Sequence, residues 1–350
     1  MSAQLDVLRG VAVADFGDDF AGAVVAYHLH LLGAETTLFE PPEGCELRRL
    51  AQRHTASGLF AYAGRGRKLA ALADFLAMPD DAALPDIVIE PAFAPPEIAA
   101  AIARRRTASP RSILLSFREA DGTRLTELTA QADGGVTAYL GREAEAPLRV
   151  GMELMSYSAA VLAVQAVLGA LRVRGETGRG QALQVPLSRV SASILSNVTA
   201  ASVQPNQEAH FSRGWSHAPA RGFAAATGSI EILFYGPAGE AGWPGFCREI
   251  GAVALAGDPR FSSYPRRLDH GSELAMAMAP FTRQIPRDEL LDCVRRHNGM
   301  AMPKHTAGEA AAWQQSRAND MVEETAGRLL PTGPWEVNGL RPAPTMEPVP

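Results

Sequence analysis

A compact basic cluster, Arg65-Gly66-Arg67-Lys68, occupies a glycine-containing turn. Arginine forks and lysine point charges suit phosphate oxygens, so the cluster is a candidate clamp on a phosphorylated ligand; a solvated loop is the plainer reading. Gly17-Asp18-Asp19-Phe20-Ala21-Gly22 follows a short apolar run, where a dinucleotide fold would carry GxGxxG. Two aspartates there would repel a pyrophosphate, so no dinucleotide is expected, and Asp18 or Asp19 is suited to cap a helix. His28 and His30 lie on adjacent faces of a helical stretch, the wrong spacing for a shared metal. Thr177-Gly178-Arg179-Gly180-Gln181 reads as a tight turn, its glycines permitting positive φ on either side of Arg179. Cys45, Cys247 and Cys293 are odd in number and far apart, which excludes a disulfide framework or a CxxC knuckle; no metal is expected, and a reducing, cytoplasmic setting is.

The elements that must position these residues alternate. Residues 11–16 form an apolar strand, residues 21–32 a helix closed by Gly33, and Glu35–Glu40 a second strand stopped by Pro41-Pro42. Strand, helix and strand within about thirty residues is the βαβ pattern of a parallel sheet. Further strands are expected at 86–90 and 112–117, with a helix over 97–106 between them. A long apolar helix spans 157–174, and 181–194 begins as a strand and turns helical. The class is therefore α/β, doubly wound. Residues 1–202 read as the first part of a large domain and 203–222 as a polar linker. Residues 223–310 read as a smaller α+β domain, with a strand at 228–234 and helices at 243–250 and 288–297. Residues 311–350 form a proline-rich C-terminal segment that returns to the large domain.

Composition narrows the classes. The chain has 350 residues, 47% of them hydrophobic and 20% charged, enough for a sizeable core. No stretch approaches 18 consecutive apolar residues, which argues against a membrane span, and no secretory signal pattern opens the chain. A formal net charge of −5 argues against a general nucleic-acid binder but leaves room for a local basic pocket.

Several blocks in this order resemble family III CoA-transferases, also called the CaiB/BaiF family. They are GVAVADFGDDFAGAVVAYHLHLLGAETTLFEPPEG at 10–44, PDIVIE at 85–90, LGALRVRGETGRGQALQVPLSRVSASIL at 168–195 and GDPRFSSYPRRLDH at 257–270. The resemblance implies a Rossmann-like large domain made from both chain ends, an inserted smaller domain, and two protomers interlocked as rings. It implies action on coenzyme A thioesters in the cytoplasm, with a carboxylic acid or acyl-CoA as small-molecule partner and no nucleic acid or membrane. Transferases of this family use an aspartate as nucleophile, passing through an acyl anhydride and an aspartyl-CoA thioester. The racemase branch instead moves an α-proton with a His/Asp pair. Coenzyme A contacts carried over by resemblance are Phe20 and Ala21 in the first loop, Arg67 and Lys68 in the basic turn, and Pro91 and Ala92 after the strand ending at Glu90.

The aspartate itself is replaced. Its implied place, 25 residues before Gln181, is Ser156. A serine hydroxyl needs a general base, and its acyl product is an oxygen ester, which suits hydrolysis better than return of the acyl group to coenzyme A. Glu153 is the nearest carboxylate in sequence and shares a face with Ser156 if the long helix starts early. The racemase histidine falls near Leu125, with Glu127 close but no imidazole. Three readings follow. The first is CoA transfer between carboxylic acids, with Glu153, Asp18 or Asp19 in place of the aspartate. The second is a non-catalytic subunit of a heterodimer with a related family III chain, in place of a homodimer. The third is a hydrolase, lyase or isomerase reusing the pocket, with Asp18, Asp19, Glu153, Ser156, His210 and His217 as its polar residues.

Overall fold

The structure is a computed structural model describing residues 5–17, 19–53, 57–90, 96–140, 146–196, 222–325 and 327–342. Asp18, Pro91, Ala92, His210, His217 and all of the expected linker but its last residue lie outside the described residues. The chain divides into two compact units: residues 1–141, 145–208 and 313–350 in the larger, 142–144 and 209–312 in the smaller.

The larger unit is built on a six-stranded sheet, β1 (Ala12–Asp15), β2 (Glu35–Glu40), β3 (Lys68–Ala71), β4 (Ile87–Ile89), β5 (Ile113–Ser116) and β6 (Ala182–Gln184), in the order β3-β2-β1-β4-β5-β6. Each pairing is parallel; Val13 faces Thr36 on one side and Ile87 on the other. This is the doubly wound Rossmann order, whose direction reverses between β1 and β4. The central strands β1, β4 and β5 are short, apolar and mostly buried, as strands covered on both faces must be, whereas the edge strands β3 and β6 are largely exposed.

Helix α1 (Phe20–Leu31) follows β1 and buries ten residues, among them Ala21, Val24, Val25, Tyr27 and His28. The next helices are α2 (Glu46–Arg53), α3 (Ser57–Ala63), α4 (Leu72–Ala77), α5 (Pro96–Arg105) and α6 (Glu127–Asp133). Helix α7 (Leu154–Thr177) runs for 24 residues, starting three residues earlier than its apolar pattern suggests. It is long and apolar enough to cross a membrane, but Met155, Ala159, Ala160, Ala163, Val167 and Ala170 are buried in one core with α1 and α8 (Leu187–Ile194). Small alanines on both α1 and α7 let the two backbones approach closely. Gly178 ends α7 in the left-handed conformation at φ 71°, as an αL C-cap requires.

The smaller unit has a three-stranded antiparallel sheet of Phe223–Ala224, Ser229–Leu233 and Met300–Pro303. Its separate core centres on Phe234, Trp243, Phe246 and Phe261. Within GDPRF, Asp258 caps a short 3-10 turn through the Arg260 amide, and Phe261 is fully buried.

Candidate active site

The N-terminus of α7 carries the arrangement with most chemical content. Ser156 is the third residue of the helix and is 9% exposed. Its Oγ donates to Glu127 Oε2 at 2.7 Å, and its backbone N–H donates to the same oxygen at 2.9 Å. The Met155 N–H donates to Glu127 Oε1 at 3.0 Å, and Gln131 Nε2 donates to that oxygen at 2.7 Å. One carboxylate thus accepts four hydrogen bonds and serves two helix starts. It lies in the first turn of its own helix, α6, which Thr126 caps, and it satisfies two of the amides left open at the start of α7.

Gln131, one turn after Glu127 on the same face, completes the arrangement. Its Oε1 accepts from the Val150 N–H at 2.8 Å, tying down the loop that leads into α7. Glu153 occupies the N-cap position of α7 but makes no side-chain capping bond. Its carboxyl is pushed above the usual carboxylate range, first by burial and then by the charge of Glu127; Arg149, 3.8 Å away, opposes the shift. Two carboxylates therefore approach the start of α7, but the one on the hydroxyl is Glu127, not Glu153.

Tyr157 lies about 100° further round the helix. It lines a cavity of about 600 Å³ with Tyr62, Met321, Trp335 and Glu336. His28 packs edge-on against Tyr157 and Trp335, at ring separations of 6.0 and 5.3 Å. Burial lowers its pKa to about 4, so its imidazole is neutral at pH 7.

The other expected site residues are placed differently. Asp19 caps α1: its Oδ1 accepts from the Gly22 N–H at 2.6 Å. Phe20 is half-buried and Ala21 buried in that first turn. The basic cluster is not a solvated phosphate clamp. Arg67 is 4% exposed; it ion-pairs with Asp15 at the end of β1 and donates to the Ala63 carbonyl at 2.7 Å. Arg65 is 1% exposed, stacks over the Tyr27 ring at 4.7 Å, pairs with Glu323 and donates to the Pro331 carbonyl at 2.6 Å. A buried guanidinium needs fixed acceptors, and each arginine finds them inside the unit. Lys68 alone is exposed; it begins β3 and pairs with Glu35 at 2.8 Å.

Sequence reasoning noted Glu127 near the implied histidine position but did not join it to Ser156. The available signal was local: a threonine cap followed by Glu and Gln four apart, which places both side chains on one helix face. Nothing local linked that face to a serine 29 residues away.

The comparisons with known proteins agree with this architecture. The profile of CoA-transferase family III matches residues 122–349, well over half of the chain. The chain belongs to CoA-transferase family III. An acyl-CoA transferase of Fusarium pseudograminearum is 27% identical over 211 residues, covering 59% of this chain and 46% of that protein, so the chain spans about half of this relative's length. A probable fatty acyl-CoA transferase of Mycobacterium tuberculosis is 25% identical over 350 residues, covering 91% of this chain and 87% of that protein. The crystal structure of a CaiB/BaiF family protein from Brucella suis superposes with a TM-score of 0.82 at 21% identity, covering 98% of this chain and 96% of the other. At that identity the likeness shows the fold.

Proposed function

We propose that the protein acts on an acyl-CoA thioester, with Ser156 and Glu127 as its catalytic pair. The observation that carries this reading is the 2.7 Å hydrogen bond from Ser156 Oγ to Glu127 Oε2 at the start of α7. The resemblance implies that relatives present their reactive carboxylate at this position.

In the first step Ser156 Oγ attacks the thioester carbonyl carbon and its proton passes to Glu127 Oε2. The C–S bond breaks, coenzyme A leaves as the thiol with that proton, and the acyl group stays on Oγ as an ester. A water then attacks the ester carbonyl and gives its proton to Glu127. Oγ leaves and recovers that proton, and the carboxylic acid is released. The net reaction is thioester hydrolysis. CoA transfer between two carboxylic acids would instead need a carboxylate nucleophile. The four hydrogen bonds on Glu127 engage both of its oxygens and oppose that role. Under this reading coenzyme A is a substrate, and the interlocked family dimer is its working assembly.

The same four hydrogen bonds favour a second reading, in which Glu127 is a structural cap and the chain is a non-catalytic subunit. Thiol release from a series of acyl-CoAs by the purified chain separates the two. Catalysis predicts turnover that Ser156→Ala lowers by on the order of 10³-fold, with the fold retained. Equal rates in wild type and Ser156→Ala, or turnover only after adding a related chain, would overturn the catalytic reading.

A further inference from the structure

The smaller unit holds a second cluster of chemistry-bearing side chains. Glu249 ends the helix Gly236–Glu249; Cys293 lies on the helix Arg287–Arg296, and His297 is that helix's C-cap. We propose that Glu249, Cys293 and His297 form a binding site for one zinc-class divalent cation.

Cys293 and His297 are four residues apart, so the end of one helix turns both toward the same neighbour. One ligand atom from each of the three residues lies within 4.8 Å of the other two. Zinc bonds of about 2.0–2.3 Å give tetrahedral edges of about 3.3–3.8 Å, so closure takes shifts of about 1 Å. His297 Nε2 and Glu249 Oε2 are hydrogen-bonded at 2.6 Å and must move apart by about 1 Å to share a cation.

The neighbouring helix is shaped for this approach. A Cβ on Gly242 would lie 1.7 Å from the His297 carbonyl oxygen, and one on Gly245 would lie 2.6 Å from His297 Nδ1. Only a glycine face lets the end of the second helix seat this deeply. The ring is thereby docked with Nδ1 against Gly245 and Nε2 on Glu249.

The donor set selects the metal. A thiolate, an imidazole and a single carboxylate suit zinc and disfavour magnesium and calcium, which require oxygen ligands. Cys293 is 3% exposed, whereas the side chains of Glu249 and His297 are 39% and 25% exposed. A cation can therefore enter from solvent and keep a water as fourth ligand. Arg296 pairs with Glu249 Oε1, leaving Oε2 for the metal, and stays as a hydrogen-bonding partner behind the ligating carboxylate. Without metal, burial pushes the Cys293 thiol up to about 12, while Arg296 and His297 hold Glu249 down at about 2. Binding breaks the hydrogen bond between His297 Nε2 and Glu249 Oε2 and frees both atoms for the metal, any proton on Nε2 passing to Nδ1 or to solvent; the Cys293 S–H bond breaks, an S–metal bond forms, and that proton goes to solvent.

Cobalt(II) titration of the full-length, tag-free, metal-stripped chain tests the proposal. The expected result is one equivalent bound, with a thiolate-to-cobalt band in the near ultraviolet, tetrahedral d–d bands in the visible, and displacement by zinc. Cys293→Ser should abolish the thiolate band, and Cys45→Ser and Cys247→Ser should keep it. Glu249→Gln, at a half-exposed position that preserves folding, should weaken binding at least tenfold. The proposal is overturned if wild type shows no thiolate band at stoichiometric cobalt. It is equally overturned if the band survives Cys293→Ser, or if Glu249→Gln binds as wild type does.

Discussion

Helices α1 and α7 of the larger unit both begin under a carboxylate, as α8 does where the Ser188 amide and hydroxyl meet Glu119, and the arrangements at α1 and α7 differ in kind. At α1 the cap is local: Asp19 reaches the Gly22 amide three residues on, beside the buried Asp15–Arg67 pair. At α7 the cap is remote: Glu127 comes from another helix and holds the Met155 and Ser156 amides together with the Ser156 hydroxyl. A local cap fixes a helix start and does little else. A remote carboxylate also joins two helices and brings a proton acceptor to a hydroxyl. Chemistry is therefore assigned to α7 and not to α1, although two aspartates, Asp18 and Asp19, stand side by side in the α1 loop.

The comparison can be broken first at the α1 end, where the largest stability loss is expected. Arg67→Met leaves Asp15 buried without its partner and should cost about 3–5 kcal/mol in urea unfolding. Arg67→Lys should not recover it, because a single ammonium cannot reproduce the branched contact with Asp15 and the Ala63 carbonyl. A loss below about 1 kcal/mol would show that the arginine is not committed to the interior.

The caps themselves should differ next. Glu127→Ala orphans three donors at the start of α7 and the Gln131 amide, at a cost of about 2–4 kcal/mol after water partly replaces them. Asp19→Ala removes an N-cap and should cost about 1 kcal/mol. Equal losses in equilibrium denaturation would erase the distinction between the two helix starts.

The smallest effect concerns Glu153, whose carboxyl is raised in the folded state. A raised folded pKa means that folding favours the protonated form. Its contribution to stability is complete below the unfolded carboxylate pKa of about 4.3 and is lost as pH rises through the higher folded value. Glu153→Gln should therefore stabilise the chain by less than about 1 kcal/mol at pH 7, and the gain should vanish near pH 4. A Tm difference independent of pH between 4 and 8 would contradict a carboxyl raised by burial and, second, by Glu127.

Much of the α/β frame was legible because parallel strands announce themselves locally. The apolar runs at Ala12–Asp15, Glu35–Glu40, Ile87–Ile89 and Ile113–Ser116 are bounded by glycine, proline or polar residues. Strand β3 was hidden, since KLAA is short and follows a run of basic residues. The true start of α7 was hidden too, because Glu153 takes the N-cap position without a side-chain bond that a sequence pattern could signal. The basic turn misled for a different reason. Arg67 and Arg65 are buried by acceptors 52 and 258 residues away, and no local rule reveals partners at such separations. Glu127 shares that property: its chemical meaning lies in a contact between helices.

Peptide mapping after acid quench tests the central claim most directly. The protein is mixed with an acyl-CoA that it turns over, quenched within a single turnover, digested and analysed by mass spectrometry. The account predicts one acyl group on the peptide bearing Ser156, resistant to neutral hydroxylamine as an oxygen ester is, and absent in Ser156→Ala. Acyl or coenzyme A mass on a carboxylate peptide, released by hydroxylamine, would contradict it.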